Sequence, residues 1–439
     1  MDRRLEIFDK VQRLYGVRGF NDHELHCLLR FERPLDLDLL KRSMFASIKA
    51  IPVLGSSYVD GDGSGWSSLA PGDVEEAFSI ATTEAELEAF FVSRDDESLG
   101  PQVRACVLQA NSFTVAFKMN HMISDAAGFK QFLNFLGDTY TQLSRDGDYR
   151  PPQIDADRSP RAVLDRFDLS SKLKALLLHN NDNNRSGIHR FPLSEGEKAQ
   201  PFILTRKLGR SRLASLTSYG RERRATLNDV VLTAFYRCMF RKLALSAGEE
   251  LEIPLMVDMR RYLGDAREFR SLTNLTSMVS TRLDFRPDES FEDALGRISA
   301  IMLEKKRADI GLNGFVKLDF LYRIFGERVA DRMLRSRLSN PLICMTNVGI
   351  LNPAQISFGG LQPIDAYLCG SIKYKPYFQL AMSSYNGELT LTVNQCGSAA
   401  DREQILAFLS DVDAELPGTD VAIPPRTRPA DSLAHTIMP

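Results

Sequence analysis

A chain of 439 residues exceeds what one compact core accommodates and is enough for two domains of ordinary size. Its 55 Lys and Arg nearly balance its 57 Asp and Glu, which excludes a field strong enough to draw the whole protein onto nucleic acid or an anionic membrane. No apolar run is long enough to span a bilayer, and the opening MDRRLEIFDKVQRLYG, charged and then amphipathic, lacks the apolar core of a signal peptide. Six cysteines (Cys27, Cys106, Cys238, Cys344, Cys369 and Cys396) are scattered without a CxxC pair or zinc-ligand spacing. They read as reduced, mostly buried thiols of a cytoplasmic protein with no metal site.

In chain order, HELHCLLRFER reads as a strand and PLDLDLLKRSMFASIKAIPVL as a helix with Leu39, Leu40, Met44 and Ile48 on one face. In SFTVAFKMNH, Phe113, Val115, Phe117 and Met119 alternate with smaller or polar residues, the period of a half-buried strand. Beyond His121 the period changes. Phe129, Phe132, Leu133, Leu136, Tyr140 and Leu143 fall at helical spacing, with Ser124 or Asp125 as N-cap. His121 is therefore expected at a strand-to-helix junction. Two breaks follow, YRPPQIDADR at 149–158 and the asparagine-rich 180–187, with a helical piece between them. The resulting division is an N-terminal lobe at 1–155, a connecting segment at 156–195, a C-terminal lobe at 196–416 and a tail at 417–439.

In the second half, Thr226–Ala244 reads as a helix capped by Thr226 or Asn228, and LEIPLMVDMRRYL as a strand running out at Asp258–Arg260. Phe291–Arg307 reads as an amphipathic helix. QLAMSSYNGELTLTVNQ reads as a hairpin with a type I′ turn at Asn386-Gly387, and REQILAFLSDVDAEL as the closing helix. The mixture of strands and helices in both halves makes the fold α/β. There is no glycine-rich phosphate loop or dinucleotide fingerprint.

His121 and Asp125 form an H-x-x-x-D pair, weak by itself. With ATLNDVVLTAFYRCMFR, PLMVDMRRYL, SLTNLTSMVS, MTNVGIL and YNGELTLTV in that order, the chain resembles the CoA-dependent acyltransferases and nonribosomal-peptide condensation domains, whose motif HHxxxDG is reduced to HxxxD in the plant BAHD enzymes. The nearest look is to stand-alone alcohol-acetyltransferase-like proteins. The resemblance implies two chloramphenicol-acetyltransferase-like lobes, each a mixed sheet flanked by helices, with a tunnel between them. It implies that His121 is the catalytic base, that Asp125 is structural and pairs with Arg260, and that SLTNLTSMVS and MTNVGIL are loops near the channel. Asn120, Thr346 and Asn347 become candidate oxyanion or channel residues, and Ala126 and Gly128 the turn beside the tunnel. Asn120 stands where condensation domains have their first histidine. Ala126 stands where the family has glycine, and Gly128 is expected to restore some flexibility.

The activity so implied is acyl transfer from an acyl-CoA or phosphopantetheinyl thioester to a hydroxyl of a small acceptor, in secondary metabolism, with no cofactor. CoA or an acyl or peptidyl carrier protein brings the donor, and a monomer suffices. Two alternatives stay open: amide formation on an amine or carrier-bound acceptor, and an idle condensation-like adapter, which the departures at Asn120 and Ala126 favour. His23 and His26 read as strand or loop residues, and His179, His189 and His435 as solvent-facing.

Overall fold

The computed structural model describes residues 3–61, 64–110, 113–177, 189–195, 199–264 and 269–418. The asparagine-rich stretch, His179, His435 and the tail beyond 418 lie outside the described residues. In chain order, β1 (Arg3–Arg4) and α1 (Ile7–Val17) precede β2 (Glu24–Phe31), α2 (Leu37–Ala50), β3 (Ser56–Val59) and β4 (Gly65–Ser68). Then come α3 (Pro71–Val74), β5 (Phe78–Ala81), α4 (Glu84–Val92), β6 (Val103–Gln109), β7 (Phe113–Asn120) and α5 (Ala126–Arg145). Two short helices, α6 (Arg161–Leu164) and α7 (Leu169–Leu177), lead to β8 (Gln200–Leu208), α8 (Arg210–Glu222), α9 (Leu227–Lys242), β9 (Glu250–Asp258) and β10 (Thr276–Asp284). The chain continues through α10 (Phe291–Arg307), α11 (Leu312–Arg337), β11 (Ile343–Leu351), β12 (Asp365–Cys369), β13 (Phe378–Tyr385), β14 (Glu388–Gly397) and α12 (Ala399–Glu415).

Two mixed sheets organise these elements. One runs β12-β2-β7-β6-β5 and the other β10-β9-β11-β13-β14-β8, while β1, β4 and β3 form a small third sheet. Each large sheet backs onto its own helices and core. Phe129, Phe132, Leu133 and Leu136 of α5 are buried with Met44 and Ile48 of α2 against β2 and β7. In the second sheet's core, α9 is buried on nearly every side, from Val230 to Phe240, because sheet, α10 and α12 enclose it. β12 lies late in the sequence, between two strands of the six-stranded sheet, yet pairs antiparallel with β2 in the five-stranded one.

The helix starts carry local signals. Asp125 caps α5 by accepting from the Gly128 N–H, and Thr226 caps α9 in a capping box with Asp229. Asn386 and Gly387 both have positive φ, +48° and +79°, as a type I′ turn between β13 and β14 requires.

Three expectations change. β7 is buried on both faces rather than half-buried, because it is central in its sheet and covered on both sides. Its Lys118 survives there by pairing with Asp95 at 2.9 Å and donating to the Ser93 carbonyl at 2.9 Å. SLTNLTSMVS is a loop only to Leu275 and then enters β10, and MTNVGIL lies within β11. Its asparagine and glycine mark a bulge between Asn347 and Gly349, where Gly349 has φ +84°. The helical piece after the first break is two short helices, and α11, broken at Gly326 (φ +70°), carried no recognised pattern.

The segment joining the halves is anchored by buried charge. Arg158 donates to both Asp9 oxygens, at 2.9 and 2.8 Å, and to the Leu272 carbonyl at 2.6 Å. Trp66 donates its indole N–H to Asp9 at 3.0 Å. α1, the small sheet, the connector and the segment before β10 thus meet at one carboxylate. Asp9→Asn leaves the Arg158 guanidinium buried without its counter-charge, and urea denaturation should show a loss of about 3 kcal/mol.

Candidate functional site

β7 ends at Asn120 and α5 begins at Ala126. The five residues between them form a turn facing the second sheet. The His121 N–H donates to the His23 carbonyl at 2.7 Å, and its own carbonyl accepts from Asn274 Nδ2 at 2.8 Å. Its ring Nδ1 lies 2.8 Å from the Ser124 carbonyl. A carbonyl only accepts, so Nδ1 carries the proton and Nε2 the lone pair. Backbone and ring are held from three directions. Burial lowers the imidazole pKa below its ordinary value, opposed by the Asp125 carboxylate and aided by Lys373.

His23, whose carbonyl holds His121, is itself in the left-handed region at φ +46°. Its ring packs over α1 where Gly16 leaves room; a Cβ on Gly16 would sit 2.0 Å from His23 Nδ1. His26 Nδ1 donates to the Phe91 carbonyl, 2.8 Å away. Both histidines are buried in the first lobe. His189 is partly exposed, near the Glu250 carbonyl.

Asp125 turns away from the imidazole. Arg260 Nη1 donates to its two oxygens at 2.9 and 2.8 Å. Further donors are the Gly128 N–H at 2.9 Å, the Leu275 N–H at 2.6 Å and the Thr276 hydroxyl at 3.1 Å. Burial pushes the carboxyl pKa up, but Arg260 and these N–H donors outweigh it and hold the group below the usual carboxylate range. Arg260 Nη2 is taken by the Thr273 carbonyl at 2.8 Å. Arg260 sits in a turn of 3₁₀ helix after β9, buried, while Arg261 beside it is exposed.

His121, Asp125, Ala126, Thr346 and Asn347 line one cavity of about 280 Å³ between the two sheets. A second cavity, of about 570 Å³, shares Ala127, Lys130, Met256, Asp258, Asn347 and Val348 with it. Asn120 is not brought to the cavity. Its amide donates to Gln102 at 2.7 Å and its carbonyl accepts the Met122 N–H at 2.8 Å, so both polar ends are engaged inside the first lobe. Gly128 is not at the cavity wall either. It is an ordinary helical residue, and its value is space: a Cβ there would meet Ser124 Oγ at 2.4 Å and Arg260 Nη2 at 3.4 Å. Ala126, in the first helical turn, has no positive φ and is accommodated without strain.

Asn274, Arg158, Ser371 and Lys373 escaped the sequence reading. Asn274 Nδ2 also donates to the Met122 carbonyl at 2.8 Å, and its only signal was its place in the polar stretch SLTNLTS ahead of a strand. Among the described residues no group of His, Cys, Asp and Glu could hold a metal ion, and no helix is long and apolar enough to cross a membrane.

A scan against protein-family models returns no match, and a search of curated proteins returns none. Solved structures do match. Polyketide synthase associated protein 5 from Mycobacterium tuberculosis superposes with a TM-score of 0.67 at 17% identity, over 94% of this chain and 97% of that one. The trichothecene 15-O-acetyltransferase TRI3 from Fusarium sporotrichioides gives 0.69 at 12% identity, over 94% and 95%. The first condensation domain of the CDA synthetase gives 0.64 at 16%, over 96% and 99%. The chain thus has the two-lobed α/β fold of these three structures.

Asp125→Asn should destabilise the protein by about 3 kcal/mol, since it strips a buried guanidinium of its counter-charge. The carboxyl pKa is depressed in the folded state, so its contribution is complete above the unfolded value of about 3.9 and is lost as pH falls through the folded value. Thermal melts from neutral pH down to about pH 2 should therefore show a smaller acid-side loss in Asp125→Asn than in the wild type.

Proposed function

We propose that the protein is an acyltransferase that moves an acyl group from a thioester, carried on CoA or a phosphopantetheine arm, to a hydroxyl of a small acceptor. The observation that carries this reading is the His121 ring, held with its proton on Nδ1 and its lone pair on Nε2, at the wall of a cavity between the lobes.

A neutral hydroxyl attacks a thioester slowly. Nε2 takes its proton as the new C–O bond forms, and the carbonyl oxygen becomes an oxyanion. When the tetrahedral intermediate collapses, the C–S bond breaks and Nε2–H protonates the departing thiolate. The lowered pKa keeps the ring neutral and ready to accept a proton at neutral pH. Asp125 takes no part in proton transfer, since Arg260 and three further donors occupy it; it positions the turn. Thr346 is the better oxyanion donor of the two candidates. The Asn347 side chain already accepts the Gly349 N–H at 2.8 Å and lies 3.4 Å from Asn228. Direct transfer fits the cavity lining, which holds no cysteine among the described residues.

The same base would serve an amine, and parallel assays with alcohol and amine acceptors separate ester from amide formation. The adapter reading has less support, because the side chains that aim His121 are all present and engaged, and Ala126 sits without strain.

His121→Ala should lower thioester consumption by about a hundredfold to ten-thousandfold, read as thiol release with a chromogenic disulfide. Retained turnover would remove His121 from the chemistry. The acidic limb of kcat/KM should fall below the ordinary imidazole value of about 6.5, and an acidic limb above that value would contradict the role assigned to the ring.

A further inference from the structure

The lining of the His121 cavity also holds polar atoms without a partner among the described residues. Lys373 is 7% exposed and lines the cavity. Its backbone is fixed: its N–H donates to the Asn394 carbonyl at 3.0 Å, and its carbonyl accepts from Gln395 Nε2 at 2.9 Å. Its ammonium has no carboxylate or hydrogen-bond acceptor among the described residues. Cys344 and Asp22 act on it only through space, and Asp22 Oδ1 is taken by the Glu24 and Ile372 N–H groups at 3.1 and 2.9 Å. Burial lowers the lysine pKa.

Two neighbours repeat the pattern. Ser371 is 3% exposed, and its hydroxyl lacks a partner. Asn340 Nδ2 is buried and lacks one as well. Both line the same cavity. Three donors without acceptors thus line one cavity, and a cationic, donor-rich lining is what an anion needs to be bound. A buried, unpaired ammonium is costly to keep and is tolerated where a ligand supplies the missing charge. Asn274 Oδ1, on the same cavity and also unpartnered, is an acceptor. It suits a hydroxyl rather than an anion.

We infer that Lys373, with Ser371 and Asn340, binds a carboxylate on the acceptor, so that the acceptor is a small hydroxy acid whose hydroxyl is directed toward His121. The inference rests on the acyl-transfer reading. It narrows the acceptor from any alcohol to one carrying an anion, and it gives the cationic wall a purpose that the proton transfer does not require. Lys373 is a specificity-determining residue and moves no proton in the reaction.

The test is binding by thermal shift at fixed ionic strength, with no thioester present. The probes are lactate, mandelate and salicylate, each beside its methyl ester, and succinyl-pantetheine as a donor that carries a carboxylate. One or more of the hydroxy acids should raise the wild-type Tm in a dose-dependent way while its ester does not. Lys373→Met should weaken that acid about tenfold or more, the loss of one charge-assisted hydrogen bond. Without ligand, Lys373→Met should melt no lower than wild type, because it removes a buried unpaired charge; a lysine with a structural role would give a lower melt. Ser371→Ala, a smaller change, should weaken the same acid several-fold. Acids and esters that bind alike, or acid binding unchanged in both variants, would overturn the inference. A shift with succinyl-pantetheine alone would overturn the acceptor assignment and move the carboxylate to the donor. Since no turnover is needed, loss of the carboxylate site with thioester consumption intact counts against this inference only. The converse counts against acyl transfer only.

Discussion

The ion pair between Asp125 and Arg260 joins the two lobes at the place where the imidazole is aimed. Asp125 belongs to the cap of α5, in the lobe of the five-stranded sheet; Arg260 follows β9, in the other. Removing two charges from water costs their hydration, which their attraction repays only if every remaining lone pair and proton finds a partner. Here they do. The carboxylate accepts from Gly128, Leu275 and Thr276 besides Arg260, and the guanidinium's second nitrogen meets the Thr273 carbonyl. The pair therefore fixes a distance and an angle between lobes, and with it the width of the cavity beneath. Gly128 matters for the same reason: only a residue without a side chain lets Ser124 and Arg260 approach the helix so closely.

Around the pair, backbone groups do the fine positioning. Asn274 bridges the lobes by donating to the carbonyls of His121 and Met122, and Arg158 reaches Ile123 at 3.2 Å from the connector. The turn from His121 to Asp125 is thus held by residues from four separate stretches of chain, at His23, Arg158, Arg260 and Asn274–Thr276. Proton transfer over a hydrogen-bond distance tolerates little misplacement, so under the proposed acyl-transfer reading these contacts, none of them to the ring itself, would bear on the rate as much as the ring's own bond to Ser124.

Much of this was legible along the chain and much was not. The strand and helix flanking His121 announce themselves by their change of period, and the Asn386-Gly387 turn by its dipeptide, because both are local. The family resemblance assigns β10 and the bulged part of β11 to loops, and their polar residues and glycine, which break the alternation of a strand, give no local signal against it. Arg260 was singled out over Arg261 by family resemblance. The two lie in a 3₁₀ turn, so strand alternation has no bearing on which one points inward. Lys373 and Ser371 carried no signal at all. Their meaning arises only when β12 and its following loop are folded back onto the first sheet, some 250 residues after His121 in the sequence.

That return of the chain also limits how the molecule can move. After β11 the backbone leaves one lobe, adds β12 to the edge of the other beside β2, and comes back as β13. A clamshell motion that parts the lobes at this edge would have to strip a ladder from Asp365–Arg30 to Cys369–His26. The two lobes are thereby latched at this edge, so the cavity between them keeps one width there however the opposite edge moves.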